Sequence, residues 1–146
     1  MRSKVHYVVL VDTNFLMMPF YKRVNPFESI EDLLKLKPKY IMLSSTLNEL
    51  KRISSKGTIS KDRKAARFGL ELARKCKVEI IEDTALPGCT TDDKIIEYAK
   101  RVLSEGKTKL IVATNDRELK RRLRTLGVPV IIYRERDHRI WLNGEV

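Results

Sequence analysis

The chain has 146 residues, 42% of them hydrophobic and 34% charged, with only six Gly and five Pro. That length and composition predict one domain with a core of its own, residues 1–146, and exclude a disordered, collagen-like or low-complexity chain. Lys and Arg number 30 against 19 Asp and Glu, a formal net charge of +11; the surplus points to a polyanion such as nucleic acid, with a merely basic surface as the alternative.

Short, nearly continuous runs rich in Val and Ile recur along the chain at 5–11, 40–43, 78–81, 110–112 and 128–133, the pattern of strands buried on both faces. Helical periodicity fills the intervals. Ile30, Leu33, Leu34 and Leu36 form a short stripe stopped by Pro38, and Leu47, Leu50 and Ile53 share a face of a helix starting near Thr46. Ala66, Gly69, Leu70 and Ala73 do the same within 62–75, and Ile95, Ile96, Ala99, Val102 and Leu103 make the strongest stripe. Leu119, Leu123 and Leu126 mark a last helix that stops at Gly127. The tail, 134–146, starts with RERDHR and continues through a strand-like 140–142, which reads as an edge strand or a partly ordered tail. Strands alternating with helices predict an α/β fold, a three-layer α/β/α sandwich around a mostly parallel sheet of about five strands.

No apolar run approaches the roughly 18 residues of a membrane helix. The first apolar run ends at Asp12 without a small-residue cleavage site, so it reads as a strand and not as a signal peptide. Cys76 and Cys89 are the only cysteines and no spacing suggests zinc; reduced thiols in a cytoplasm are the expectation.

In such a sheet the carboxyl ends of the strands share one rim, where ligands bind at the reversal of strand order. Asp12 ends the first strand, Glu49 lies one turn into the helix after the second, Asp92 and Asp93 open the helix after the third, and Asp116 follows the fourth. Gathered carboxylates repel and call for a cation, and oxygen ligands suit Mg²⁺ or Mn²⁺. An acidic metal pocket in a basic protein fits phosphodiester hydrolysis. Local alternatives exist: Thr46-x-x-Glu49 reads as a capping box, and Asp92, Asp93 and Asp116 suit helix starts. Asp12, after four apolar residues, needs a donor or a cation in any case. Asn14 and Thr114 are the neighbours expected to orient the ligands.

The ordered set VDTN, STLNEL, DDKIIEYA and ATND resembles the PIN-domain nucleases over roughly residues 8–133. The resemblance implies Asp12, Glu49, Asp92 and Asp116 as catalytic metal ligands, with Asp93 beside them, one or two Mg²⁺ or Mn²⁺ ions, RNA as substrate and a sheet order 3-2-1-4-5. The stretch TNDRELKRRLRTLGVPVIIYR looks like the branch that acts in small-subunit rRNA processing. Toxins of toxin–antitoxin pairs share the acidic set, and a non-catalytic assembly factor is the rival from outside enzymology. The family also implies a homodimer and a protein partner, an assembly factor or an antitoxin, as assemblies to be tested. Arg117, Arg121 and Arg122 on the last helix are the candidate RNA contacts, with a solvated helix face as the plain alternative. Phe20, Tyr21 and Trp141 are candidates for stacking on bases, or for core and lid.

Overall fold

The computed structural model describes residues 6–145; residues 1–5 and 146 lie outside it, with the first residue of the first predicted strand and the ends of the predicted domain. The elements run β1 (His6–Val11), α1 (Thr13–Lys22), α2 (Pro26–Leu34), β2 (Lys39–Leu43), α3 (Ser44–Lys56), α4 (Ser60–Lys75), β3 (Glu79–Ile81), α5 (Thr91–Glu105), β4 (Thr108–Ala113), α6 (Arg117–Thr125), β5 (Val130–Arg134) and β6 (Arg139–Asn143), with a 3₁₀ turn at Glu135–Asp137. The sheet order is β3-β2-β1-β4-β5-β6. Five strands are parallel, and β6 turns back to pair antiparallel with β5 at the edge. The architecture is the α/β sandwich expected from the sequence, with this sixth strand added by the tail. Among the described residues no helix is long and apolar enough to cross a membrane.

Continuous apolar strands are needed because both faces are covered. Val9, Val11, Tyr40, Met42, Ile111, Ala113 and Ile131 point into one half of the core, with Phe15, Leu16, Phe27, Ile30, Leu50 and Ala66. The alternate positions Leu10, Ile41, Leu43, Leu110, Val112 and Val130 point the other way, onto Ile95, Ile96, Ala99, Leu119 and Leu123. The period of two along each strand therefore feeds two helical layers.

Two differences from expectation bear on the site. Helix α1 has no counterpart in the sequence reading: its apolar residues run on from β1, and Pro19 lies inside it, so the helical period is hidden. Helix α3 starts at Ser44 rather than near Thr46, which removes Thr46 from the cap position.

Close helix packing rests on small residues. At Gly69 of α4 an added Cβ would collide with the carbonyl oxygen of Leu16 in α1. Gly69→Ala gains about 1 kcal/mol of helix propensity, but overpacking against backbone costs about 1–3 kcal/mol. The clash dominates because a carbonyl of a neighbouring helix cannot swing away as a side chain would. A lower midpoint in urea with an unchanged slope is the expected result.

Candidate active site

Parallel register brings the site together. Val11 of β1 lies beside Ala113 of β4, and the Asp12 N–H continues the ladder to the Ala113 carbonyl at 3.0 Å. The next residues, Asp12 and Thr114, leave their strands side by side where β1 and β4 carry chain in opposite directions across the sheet. Thr114 Oγ1 donates to Asp12 Oδ2 at 2.7 Å and accepts the Asp116 N–H at 3.1 Å. Asp12 Oδ1 accepts the Thr13 N–H at 2.8 Å, capping α1, and Asn14 Nδ2 reaches Oδ2 at 3.2 Å. Asn14 Oδ1 in turn takes the Asn115 N–H at 2.9 Å, and Asn115 Oδ1 takes the Tyr133 N–H from β5 at 2.9 Å. One polar chain thus ties α1, the β4–α6 turn and β5 around a carboxylate.

Asp12 is only 5% exposed. Burial pushes its carboxyl up from 3.8 to about 6; the bonds from Thr114 and Thr13 oppose this, and the charges of Asp92 and Glu49 add to it. Asp92 is also raised, first by burial and then by Asp116, with Arg122 pulling the other way and Glu49 and Asp93 adding repulsion. These effects place Asp92 within electrostatic reach of Asp12, Glu49 and Asp116, and Asp12 within reach of Glu49. They do not close into a cage: among the described residues no three His, Cys, Asp or Glu side chains form a cluster that could hold a metal ion by themselves.

The carboxylates differ in their local duties. Asp116 caps α6, its Oδ1 accepting the Leu119 N–H at 2.9 Å. The start of α5 is capped by Thr90, whose Oγ1 accepts the Asp93 N–H at 3.1 Å, so Asp92 is not needed as the cap. Asp93 turns to Arg122, Oδ1 to Nη1 3.1 Å, and that guanidinium holds the Asp93 carboxyl below its usual range. The charge of Arg122 thereby stands next to Asp92, and Asp93 serves it as an anchor. Glu49 is half-buried and the expected capping box is absent: Thr46 is fully buried inside the first turn of α3 with its hydroxyl unpartnered.

The cap of α3 comes instead from Asp83, a residue the sequence reading passed over. Asp83 is 1% exposed. Its Oδ2 accepts the Ser45 N–H at 3.1 Å, its Oδ1 accepts the Ser44 hydroxyl at 2.8 Å, and its own N–H returns to Ser44 Oγ at 3.0 Å. Burial alone would raise its pKa, but Ser45, Ser44 and the Lys94 ammonium, 3.6 Å away, hold it below the ordinary value. Its stability contribution is therefore present above the ordinary carboxylate pKa and lost as acid reaches the lower folded value. Asp83→Ala takes the acceptor from the Ser45 N–H and leaves the Ser44 hydroxyl only Glu82 Oε1, 3.0 Å away, and is expected to cost about 1–2 kcal/mol at pH 7. The deficit relative to the parent should shrink in denaturant melts taken toward pH 3. Only long-range geometry reveals Asp83: 39 residues separate it from Ser44.

Of the candidate RNA contacts, Arg117 is exposed, Arg121 pairs with Glu118 on its own helix at 3.1 Å and Arg122 is committed to Asp93. Trp141 lies between Arg134 and Arg139, whose guanidinium carbons are 4.4 and 5.1 Å from its ring centroid. Phe20 packs against Tyr21 and Phe68. Neither histidine serves the site: His6 opens β1 at the opposite end of the strand, and His138 lies by Tyr133 at 3.3 Å.

The crevice at the carboxyl ends of β1 and β4, where strand order reverses, is where an open α/β sheet binds its ligand. The chain belongs to the PIN-like domain family, which it matches over residues 9–136. It is 32% identical over 132 residues to the ribonuclease VapC4 of Methanocaldococcus jannaschii, covering 90% of this chain and 94% of that one. It is 30% identical over 129 residues to the rRNA-processing protein FCF1 of Saccharomyces cerevisiae, covering 88% of this chain and 60% of that protein. The solved structure of the PIN domain endonuclease Utp24 superposes with a TM-score of 0.73 at 27% identity, over 96% of this chain and 93% of that one.

Proposed function

We propose that this protein is a divalent-metal-dependent ribonuclease that hydrolyses RNA phosphodiester bonds, with rRNA processing as its setting. The observation that carries the reading is the Asp12 carboxylate, 5% exposed at the end of β1 and held on both oxygens by Thr13, Asn14 and Thr114. The all-oxygen set Asp12, Glu49, Asp92 and Asp116 fits a hard cation such as Mg²⁺ or Mn²⁺, and its open arrangement suits ions that keep several waters and complete their shell with substrate phosphate. Such a cation supplies Lewis-acid activation of water and of the phosphate.

The chain's own residues supply position and charge. Thr13, Asn14 and Thr114 fix both oxygens of Asp12, and Thr114 also fixes the backbone of Asp116, so the two carboxylates of the central strands move as a unit. Asp93 holds Arg122 beside Asp92, where a cationic group would meet an approaching phosphate. The exposed Arg117 begins α6 next to Asp116 and extends that positive edge. Similarity to the rRNA-processing protein FCF1 supports rRNA as the substrate, and similarity to the endonuclease Utp24 and to the ribonuclease VapC4, over nearly all of its length, supports RNA cleavage; a ribonuclease toxin is the second reading.

Labelled single-stranded RNA incubated with Mn²⁺ or Mg²⁺, with and without chelator, tests the activity. Metal-dependent cutting is expected. A small-subunit rRNA precursor fragment set against unrelated RNA of the same length tests the rRNA setting. Salt-sensitive RNA binding with no cutting on any of these would replace the enzyme by a non-catalytic assembly factor.

A further inference from the structure

Helix α1 presents Asn14, Met17, Met18, Tyr21 and Lys22 at spacings of three, four, seven and eight, which is one face. With Asn115 they line an open, shallow cavity of about 300 Å³. Two of its lining residues, Asn14 and Asn115, belong to the polar chain that holds Asp12. The cavity therefore begins one side chain away from the acidic crevice, yet no step described so far uses it.

Its chemistry is divided. Met17, Met18 and the Tyr21 ring make an apolar, polarisable wall, and thioethers pack well against aromatic planes. The carboxamides of Asn14 and Asn115 close one end, their polar atoms already engaged with Asp12, the Asn115 N–H, the Tyr133 N–H and Met18 Sδ. Lys22 sets a cation at the rim, paired with Glu135 and 5.9 Å from the Tyr133 centroid. Tyr21 is fixed from outside by its hydroxyl on Asp62 and by the Lys61 ammonium, 6.0 Å from its centroid. A flat ligand with apolar faces and an attached anion matches the wall and the cation. The volume lies at the small end of ligand pockets, room for one base and its sugar.

We infer that this cavity is a nucleobase pocket, which takes the base of a nucleotide adjoining the phosphate at the crevice, with Tyr21 and Met17 against its face and Lys22 toward its backbone. The inference rests on the ribonuclease reading for what happens at the crevice, but the pocket itself is read by binding. Tyr21 and Met17 are positioning residues, setting which phosphate reaches Asp12.

The test is photo-crosslinking of the full chain to a short oligouridine RNA carrying 5-iodouridine, in chelator so that nothing is cut, with adducts mapped by mass spectrometry. Adducts on Tyr21 or Met17 are expected; adducts confined elsewhere, or none, overturn the pocket. In metal, Tyr21→Ala should lower kcat/KM about tenfold, as the loss of one base stack does, mainly through KM, while Tyr21→Phe restores it. Tyr21 is 38% exposed, so the variant keeps its fold, which circular dichroism checks. Full activity in Tyr21→Ala overturns the pocket and leaves the nuclease standing. Adducts at Tyr21 in a protein that never cuts RNA would overturn the nuclease and leave the pocket.

Discussion

Asp12→Asn should lower RNA cleavage by at least about a thousandfold and at the same time make the metal-free protein more stable at neutral pH. The first effect follows from losing the anionic ligand at the centre of the crevice, the kind of electrostatic contribution that dominates catalysis. The second follows from burial. The Asp12 carboxyl titrates near 6 in the fold against an ordinary 3.8, so the folded state binds the proton more tightly than the unfolded chain. Its favourable contribution is fully present below about 3.8 and is lost as pH rises through about 6. At about 1.4 kcal/mol per unit, ionised Asp12 carries a penalty of about 3 kcal/mol at pH 7.5. Asparagine keeps the shape and removes the charge; its single oxygen retains the Thr13 bond made at Oδ1, while its amide nitrogen replaces the Oδ2 that accepts from Thr114 and Asn14, which offsets part of the gain. Urea melts in chelator should show parent and variant converging near pH 4 and separating toward pH 7.5, with the variant the more stable. Adding Mn²⁺ should raise the parent's midpoint far more than the variant's. A variant less stable than the parent at pH 7.5 would show that Asp12 is structural rather than a strained functional group.

That pairing of lost function with gained stability explains why the acidic rim was legible in the sequence. Asp12 interrupts a buried apolar run, and Asp116 follows another; local folding rules give such residues little reason to exist, so they stand out. The sheet was legible because strands buried on both faces need unbroken Val and Ile, and Leu10 and Val112 have no polar side to alternate with. Helix α1 was hidden for the same reason: Phe15, Leu16 and Met18 are all buried, and a helix apolar through much of its length resembles the strand before it. The duties of individual acids were less legible, because capping and ligation select the same residue types at helix starts. Thr46 and Glu49 have the spacing of a capping box, yet α3 begins two residues earlier and borrows Asp83 from the loop after β3. Asp93 and Arg122 are 29 residues apart, and no pattern in either segment announces their pairing.

Thr114→Val should be nearly as damaging as its burial is complete, and through a different route. Thr114 is 0% exposed, and valine matches its shape, so packing is preserved and only the hydroxyl is lost. That hydroxyl donates to Asp12 and accepts from the Asp116 N–H. Without it the Asp116 N–H loses its acceptor, and a buried unpaired group costs about 1–3 kcal/mol. The bond to Asp12 lowers that residue's pKa, so its loss moves the pKa further above 6, and the acid limb of the pH–activity profile should shift to higher pH. Partners that orient metal ligands are worth about 10–100-fold in activity, and a loss in that range is expected at pH 7.5. Thr114→Ser retains the hydroxyl, and both the profile and the activity should return with it. A uniform loss at every pH, unrelieved by serine, would mean that the side chain matters for packing and not for the charge state of Asp12. The two strand ends are thus coupled through one oxygen atom: the geometry that places Asp116 and the proton affinity of Asp12 cannot be changed independently.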